Sequence, residues 1–317
     1  MVQATSVERR IRFYRLRVQR SGQRPPDPDY GFKVIEEVNR LRRADGEHEL
    51  ELDDGRLLVA EGIQHAGYAG FAFGAVRKSA LPQLYSSGKA QDLSLAAQDG
   101  LVDVTHFIIF PDGVVGTEVN RFGPSFAQFP RYVHTVLKEF RPRVKAGVLI
   151  QPDTLAALQR LQQITLAEME ISKSRAEIVK RAHEAEDVWD VFRAAGDQFG
   201  GEQVKVTVRP EQVRQGRTTA TRRRFLDSSA VARLRRWALR DDVRSAVDSF
   251  TIKGFDPAVG QQVTLDLLDQ KLISRKTVTG LGPSRVVVRA DMFNRIIEAH
   301  AEMQVDIDLA SDLVFSD

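Results

Sequence analysis

Apolar and polar positions along the chain recur in short runs that predict many strands and a few helices. Residues 11–18, IRFYRLRV, interleave β-forming side chains with arginines, which predicts a strand with one charged side or an edge strand guarded against pairing. Phe32, Ile35, Val38 and Leu41 recur at helical spacing, so residues 30–43 form a helix. HELELDDGRLLVAEG reads as a hairpin turning at Asp53, Asp54 and Gly55. The glycines at 62, 67, 70 and 74 read as a turn-rich loop without dinucleotide or Walker spacing. In VDVTHFIIFPDGVVGTEVNRFGPSF, two β-rich runs flank Pro111, Asp112 and Gly113, where proline fixes φ and glycine accepts a positive one. A helix capped by Ser125 follows and runs to Phe140, and Arg141-Pro142 stops it.

The second half continues in short elements. A strand is expected over 144–150, a helix capped by Asp153 over 154–163, a strand over 164–171 and a long amphipathic helix over 174–199. Strands at 204–210, 247–253, 262–268 and 285–288 alternate with helices at 230–239 and 291–303. The whole is an α/β or α+β protein with mixed sheets, hairpins and packed helices. Pro142 and Pro152 bracket a strand, so the expected domains are a mixed α/β domain over 1–145 and an α/β domain with an Arg-rich helix over 146–317.

Composition narrows the chemistry. The chain has 317 residues, 42% of them hydrophobic and 28% charged, enough for one large core or two ordinary ones. It contains no cysteine, which excludes disulfides, thiolate nucleophiles and Cys-ligated metal centres. No apolar run is long enough to span a membrane, and the charged start MVQATSVERRIRFYRLRV lacks a signal-peptide core. A soluble, cytoplasmic protein without membrane insertion is expected.

The net charge of +3 conceals a polarised distribution. Residues 9–24 carry seven arginines and no acid, and residues 201–244 carry eleven arginines and one lysine against five acids. Residues 291–317 oppose them with seven acids and one arginine. Guanidinium forks suit phosphate. Arg222, Arg223 and Arg224 precede the helix over 230–239, and Arg233, Arg236, Arg240 and Arg244 recur on one of its faces, with Arg217 in the hydroxyl-rich loop before it. With Arg12 and Arg17 these residues form the candidate nucleic-acid-binding set, expected to contact phosphates with little sequence preference. The same arginines serve equally as solvated faces, or as partners of the acidic C-terminus.

Other constellations are weaker. His106, Glu118, Asn120 and Asp103 surround one hairpin, where an acid–base or divalent-metal site is conceivable if they share a face; otherwise Glu118 pairs with Arg121 or another base. His134 with Glu139, and His183 with its acidic neighbours, lack zinc spacing. Asp269-Gln270-Lys271 has the acid-x-Lys spacing of metal-dependent nucleases, though Asp266 and Asp269 serve equally as the polar side of DLLDQKL. No catalytic residue, metal site or cofactor is assigned.

HFIIFPDGVVGTEVNRFGPS and FTIKGFDPAVGQQVTLDLLDQKLI resemble patterns in uncharacterised bacterial proteins that accompany anti-phage defence genes. The resemblance implies a two-domain subunit that binds phage nucleic acid or restrains a toxic partner, and it transfers no catalytic residue. The expected function is thus a non-enzymatic nucleic-acid-binding subunit. A protein-interaction subunit, docking an acidic partner or a second copy, and a metal-dependent nuclease are the alternatives.

Overall fold

The computed structural model describes residues 5–19, 24–43, 48–172, 203–210, 225–239, 247–267, 271–281 and 286–314, less positions 53, 80, 87, 94, 97, 98 and 227, together with residues 194, 197, 198 and 201. The expected helix over 174–199 falls almost wholly outside them. The chain divides into two units, Met1–Ala146 with Ile273–Gln304, and Gly147–Leu272 with Val305–Asp317. The first division lies next to the expected one after residue 145. The domain expected over 146–317 nonetheless needs correcting, because residues 273–304 return to the first unit, where their strand pairs with the N-terminal strand over eight residues.

Unit 1 is built on one sheet of β1 (Thr5–Val18), β2 (Leu50–Glu51), β3 (Leu57–His65), β4 (Tyr68–Arg77), β7 (Leu101–Ile109), β8 (Val114–Glu118), β14 (Ile273–Leu281) and β15 (Val286–Val287). Their order is β15-β14-β1-β8-β7-β4-β3-β2. A separate small hairpin, β5 (Leu84–Ser86) with β6 (Lys89–Gln91), lies between β4 and β7 in the chain. The strand β9 (Val144–Val148) pairs with β1. β1 is therefore central rather than an edge, flanked by β14 and β8. The expected glycine loop over 62–74 is instead the β3–β4 hairpin, turning at Ala66 and Gly67. β4 and β14 escape sequence reading because their apolar content is broken by glycines and by threonine and basic residues respectively.

Alternation decides what each face carries. Phe71, Phe107, Thr117 and Arg12 are cross-strand neighbours on one face. There Phe107 packs against Phe126 and Phe129, at ring-centroid distances of 4.8 and 4.7 Å. Those rings come from a short 3-10 turn (Phe126–Gln128), closed by a Ser125 capping box, and from α2 (Phe129–Val136). The single helix expected to Phe140 is thus two pieces ending earlier. The helix α1 (Tyr30–Arg42) lies on the same face, where Gly31 and Gly62 allow close approach to Ala69 and Ile35. The opposite face is covered by α5 (Arg289–Glu302), whose Phe293 and Ile296 sit over Gly70 and Gly116. The Asp112-Gly113 turn is as predicted, with Gly113 at φ 84°.

Unit 2 holds α3 (Pro152–Arg160) and a sheet of β11 (Gln203–Val208), β10 (Gln162–Ser172), β12 (Val247–Asp256) and β13 (Gln261–Asp266), in that order. It also includes α4 (Ser228–Leu239) and α6 (Gln304–Val314), apart from Gln304, the latter unforeseen from sequence. Leu234 of α4 is buried with Met169, Ile171, Phe250 and Ile252, and Trp237 packs against them. Every pairing assigned a register in either unit is antiparallel, so the protein is α+β.

Candidate nucleic-acid interface

β1 divides its arginines by parity. Odd positions face α5. There Arg9 forms an ion pair with Glu118 at 3.1 Å. Arg15 helps hold the Asp112 carboxyl below its ordinary value: burial opposes this, but the His300 contact and the Val114 N–H outweigh it. Even positions 8, 10 and 12 belong to the other face, directly across from Thr277, Arg275 and Ile273 of β14. Aromatic packing covers that face at β8, β7 and β4, whereas over the first half of β1 and over β14 Ser6, Glu8, Arg10, Arg275, Thr277 and Thr279 are exposed.

This open half-face is basic. Arg10 and Arg275 stand directly opposite each other, an unfavourable like-charge pair that Glu8 relieves by bonding Arg275 at 3.3 Å. Glu8 is the one carboxylate among the described side chains of β1 and β14 on this face. Arg12 is half-buried; its Nη1 reaches the Tyr14 hydroxyl at 3.5 Å, while its Nε is shielded from solvent without a hydrogen-bond partner among the described residues. Beside it, Val119 N–H donates to the Arg10 carbonyl, which brings the turn carrying exposed Arg121 and Phe122 next to β1.

A second basic group joins three segments of unit 1. Val18 N–H donates to the Arg24 carbonyl, Gln19 N–H to the Arg143 carbonyl, and Val144 N–H to Nε2 of His134 at 3.1 Å. Arg24, Arg131, Arg141, Arg143 and Lys145 are all exposed there. Burial lowers the His134 pKa, and the charges of Arg143 and Arg141 lower it further, so the imidazole is neutral and accepts the Val144 bond.

The expected binding residues are only partly gathered. Arg12 and Arg17 lie on opposite faces of β1, five residues apart. Positions 233 and 236 lie on α4. Arg217, Arg222, Arg223, Arg224, Arg240 and Arg244 lie outside the described residues. Arg235, absent from the expected set, donates to the Leu161 carbonyl beyond the end of α3. The acids of α5 do not meet the β1 arginines through any described ion pair: Asp291 and Glu298 pair with Arg295, and Glu298 and Glu302 with Lys276.

Of the expected hairpin constellation only His106 and Glu118 come together, and they are enclosed. His106 and Glu118 are 7% and 3% exposed, and His106 Nδ1 lies 2.8 Å from the Glu118 carboxylate. A carboxylate only accepts, so that bond places a proton on Nδ1. The His106 backbone N–H points to the same oxygen at 3.3 Å, and the Phe293 ring stands edge-on to the imidazole. Asn120 binds the Val104 carbonyl, and Asp103 pairs with Arg77, so neither joins the cluster. Among the described residues no group of three His, Asp or Glu side chains is placed to hold a metal, and Asp269 lies outside them. No helix among them is long and apolar enough to cross a membrane.

Sequence reasoning missed Arg275 and the Arg121-Phe122 turn as parts of a basic face. The alternation in SRKTVTG was the available signal for the first, but nothing local ties residue 275 to residue 10. No protein-family model matches the chain, and no curated protein matches it.

Proposed function

We propose that the protein binds nucleic acid through its phosphate backbone, using the open half-face formed by β1 and β14. The carrying observation is the group Arg10, Arg12, Arg275 and Arg121, opposed on β1 and β14 by the single carboxylate of Glu8. Phosphate contacts from guanidinium groups release counterions and carry little sequence information. The exposed Thr277 and Thr279 hydroxyls add donors for phosphate or sugar. The Arg-rich region around α4 is a second contact region of the same chemistry, with Arg217, Arg222, Arg223, Arg224, Arg233, Arg236, Arg240 and Arg244 as its candidates. No reaction is assigned. A subunit of an anti-phage system is the setting that the sequence resemblance implies.

The test is fluorescence anisotropy with labelled DNA and RNA of random sequence. Neutralising about four phosphates gives a salt slope near −3 to −4, so the contribution of this face falls about 50- to 150-fold between 50 and 200 mM salt. Charge reversal at Arg10 and Arg275 removes that contribution without changing the circular dichroism spectrum. Indifference of the protein to duplex DNA, single-stranded DNA and RNA at 50 mM salt refutes the function.

A further inference from the structure

We infer that the ligand of this face is single-stranded nucleic acid, with Phe122 as the platform on which an unpaired base stacks. This rests on the nucleic-acid reading above and adds the form of the ligand. Phe122 is 70% exposed, on a turn that is held rather than loose. Asn120 fixes it from both sides: its Nδ2 donates to the Val104 carbonyl at 2.7 Å, and its Oδ1 accepts the Phe122 N–H at 3.1 Å. Gly123 then passes so close to β7 that a Cβ there would run into the Thr105 hydroxyl. Buried Pro124 and the Ser125 capping box anchor the exit. An apolar ring is thus presented to water by a turn with little freedom to bury it, beside arginines on an open sheet.

That combination has a specific chemistry. In a duplex the base faces are already stacked on one another, and a protein ring reaches them only by prising a step apart. In a single strand every base offers a free π-face, and aromatic rings beside a basic track bind it with little regard to sequence. Arg10 and Arg12 project from the same face of one strand about 7 Å apart, forming a row that follows an extended backbone. Arg275 widens the row across β14, and Arg121 adjoins the ring in sequence. Guanidinium planes stack on bases as well as bind phosphates, so the residues around Phe122 serve either contact.

The experiment uses the full chain with labelled oligo(dT), oligo(U) and a duplex of equal length. Phe122→Ala is expected to weaken oligo(dT) and oligo(U) binding about 5- to 150-fold while leaving duplex binding within about threefold. Phe122→Tyr, which keeps the ring, is expected to retain single-strand binding. Because the side chain stands in solvent, an unchanged circular dichroism spectrum is expected for both variants. Equal binding of single strand and duplex, with Phe122→Ala indifferent on both, overturns the inference and leaves the phosphate-binding function standing. Failure to bind any of the three overturns both.

Discussion

Removing the Glu118 carboxylate tests whether the hairpin that supports the open face is held by a buried ionic cluster. Glu118 is 3% exposed and receives the His106 Nδ1–H, the His106 backbone N–H and the charge of Arg9. Glu118→Ala leaves two buried donors unsatisfied, at about 1–3 kcal/mol each, and strips Arg9 of its counter-charge. Breaking one side of a buried ion pair costs about 3–5 kcal/mol, and that is the expected loss for unit 1. Glu118→Gln keeps the shape and one acceptor, so about 1–2 kcal/mol is expected. Replacing His106 and Glu118 together by Phe and Leu removes the imidazole donor with its acceptor, leaves only the backbone N–H of residue 106 to be satisfied, and is expected to cost less than Glu118→Ala, since Arg9 is partly exposed and can reach water. The sequence of unit 1 contains no tryptophan, so the probe is urea titration followed by hydrogen exchange in β7, β8 and α5. A loss below about 1 kcal/mol for Glu118→Ala refutes the reading that this carboxylate satisfies the buried donors.

Three further outcomes follow from the same geometry. His134 has a folded pKa below its ordinary value, so the unfolded chain binds the proton more readily; stability is fully present above about pH 6.5 and falls as pH drops toward the lowered folded value. Thermal melts between pH 7.5 and 5 check this, and a His134→Gln variant with the same pH slope refutes it. Gly123→Ala drives a Cβ into Thr105 and is expected to cost about 1–3 kcal/mol, partly recovered by adding Thr105→Ala; additive losses in a denaturant cycle refute the contact. Charge removal by parity separates the two faces of β1: Arg10→Gln with Arg12→Gln weakens nucleic-acid binding in anisotropy, whereas Arg15→Gln with Arg17→Gln leaves affinity unchanged, and equal loss from both pairs refutes the assignment of the ligand to one face.

The sequence carried the local structure further than the site. The PDG hairpin, α1, α5 and the strands of unit 2 were legible because each is specified by turn chemistry or by periodicity within a window of about a dozen residues. The β3–β4 hairpin read as a loop, since its glycines look like punctuation; Gly62 and Gly70 instead make room for Ile35 and Phe293. β14 went unread because ISRKTVTGL has an exposed polar side, and strands of that kind carry a weak signal. Its pairing with β1 joins residues more than 260 positions apart, which no local pattern encodes. The His106–Glu118 contact, by contrast, was within reach, because the PDG turn fixes the register that sets β7 against β8.

The seven arginines of residues 9–24 illustrate why charge counts mislead on a central strand. As an edge guard, IRFYRLRV would need its basic side chains only to repel a second chain. As a central strand, it has two faces with different obligations. On the α5 side Ile11 and Phe13 are buried, so Arg9 is tolerable there because Glu118 meets it. On the other side Tyr14 and Leu16 are buried, Tyr14 against Phe126, and the 3-10 turn and α2 extend no further toward β14. Arg10 and Arg12 fall just past that boundary, where an antiparallel sheet can leave one side to water. A run of like charge thus separates into a half that stabilises packing and a half available to a ligand. The division is made by two things, the parity of the strand and how far the aromatic cover reaches; the number of arginines decides neither.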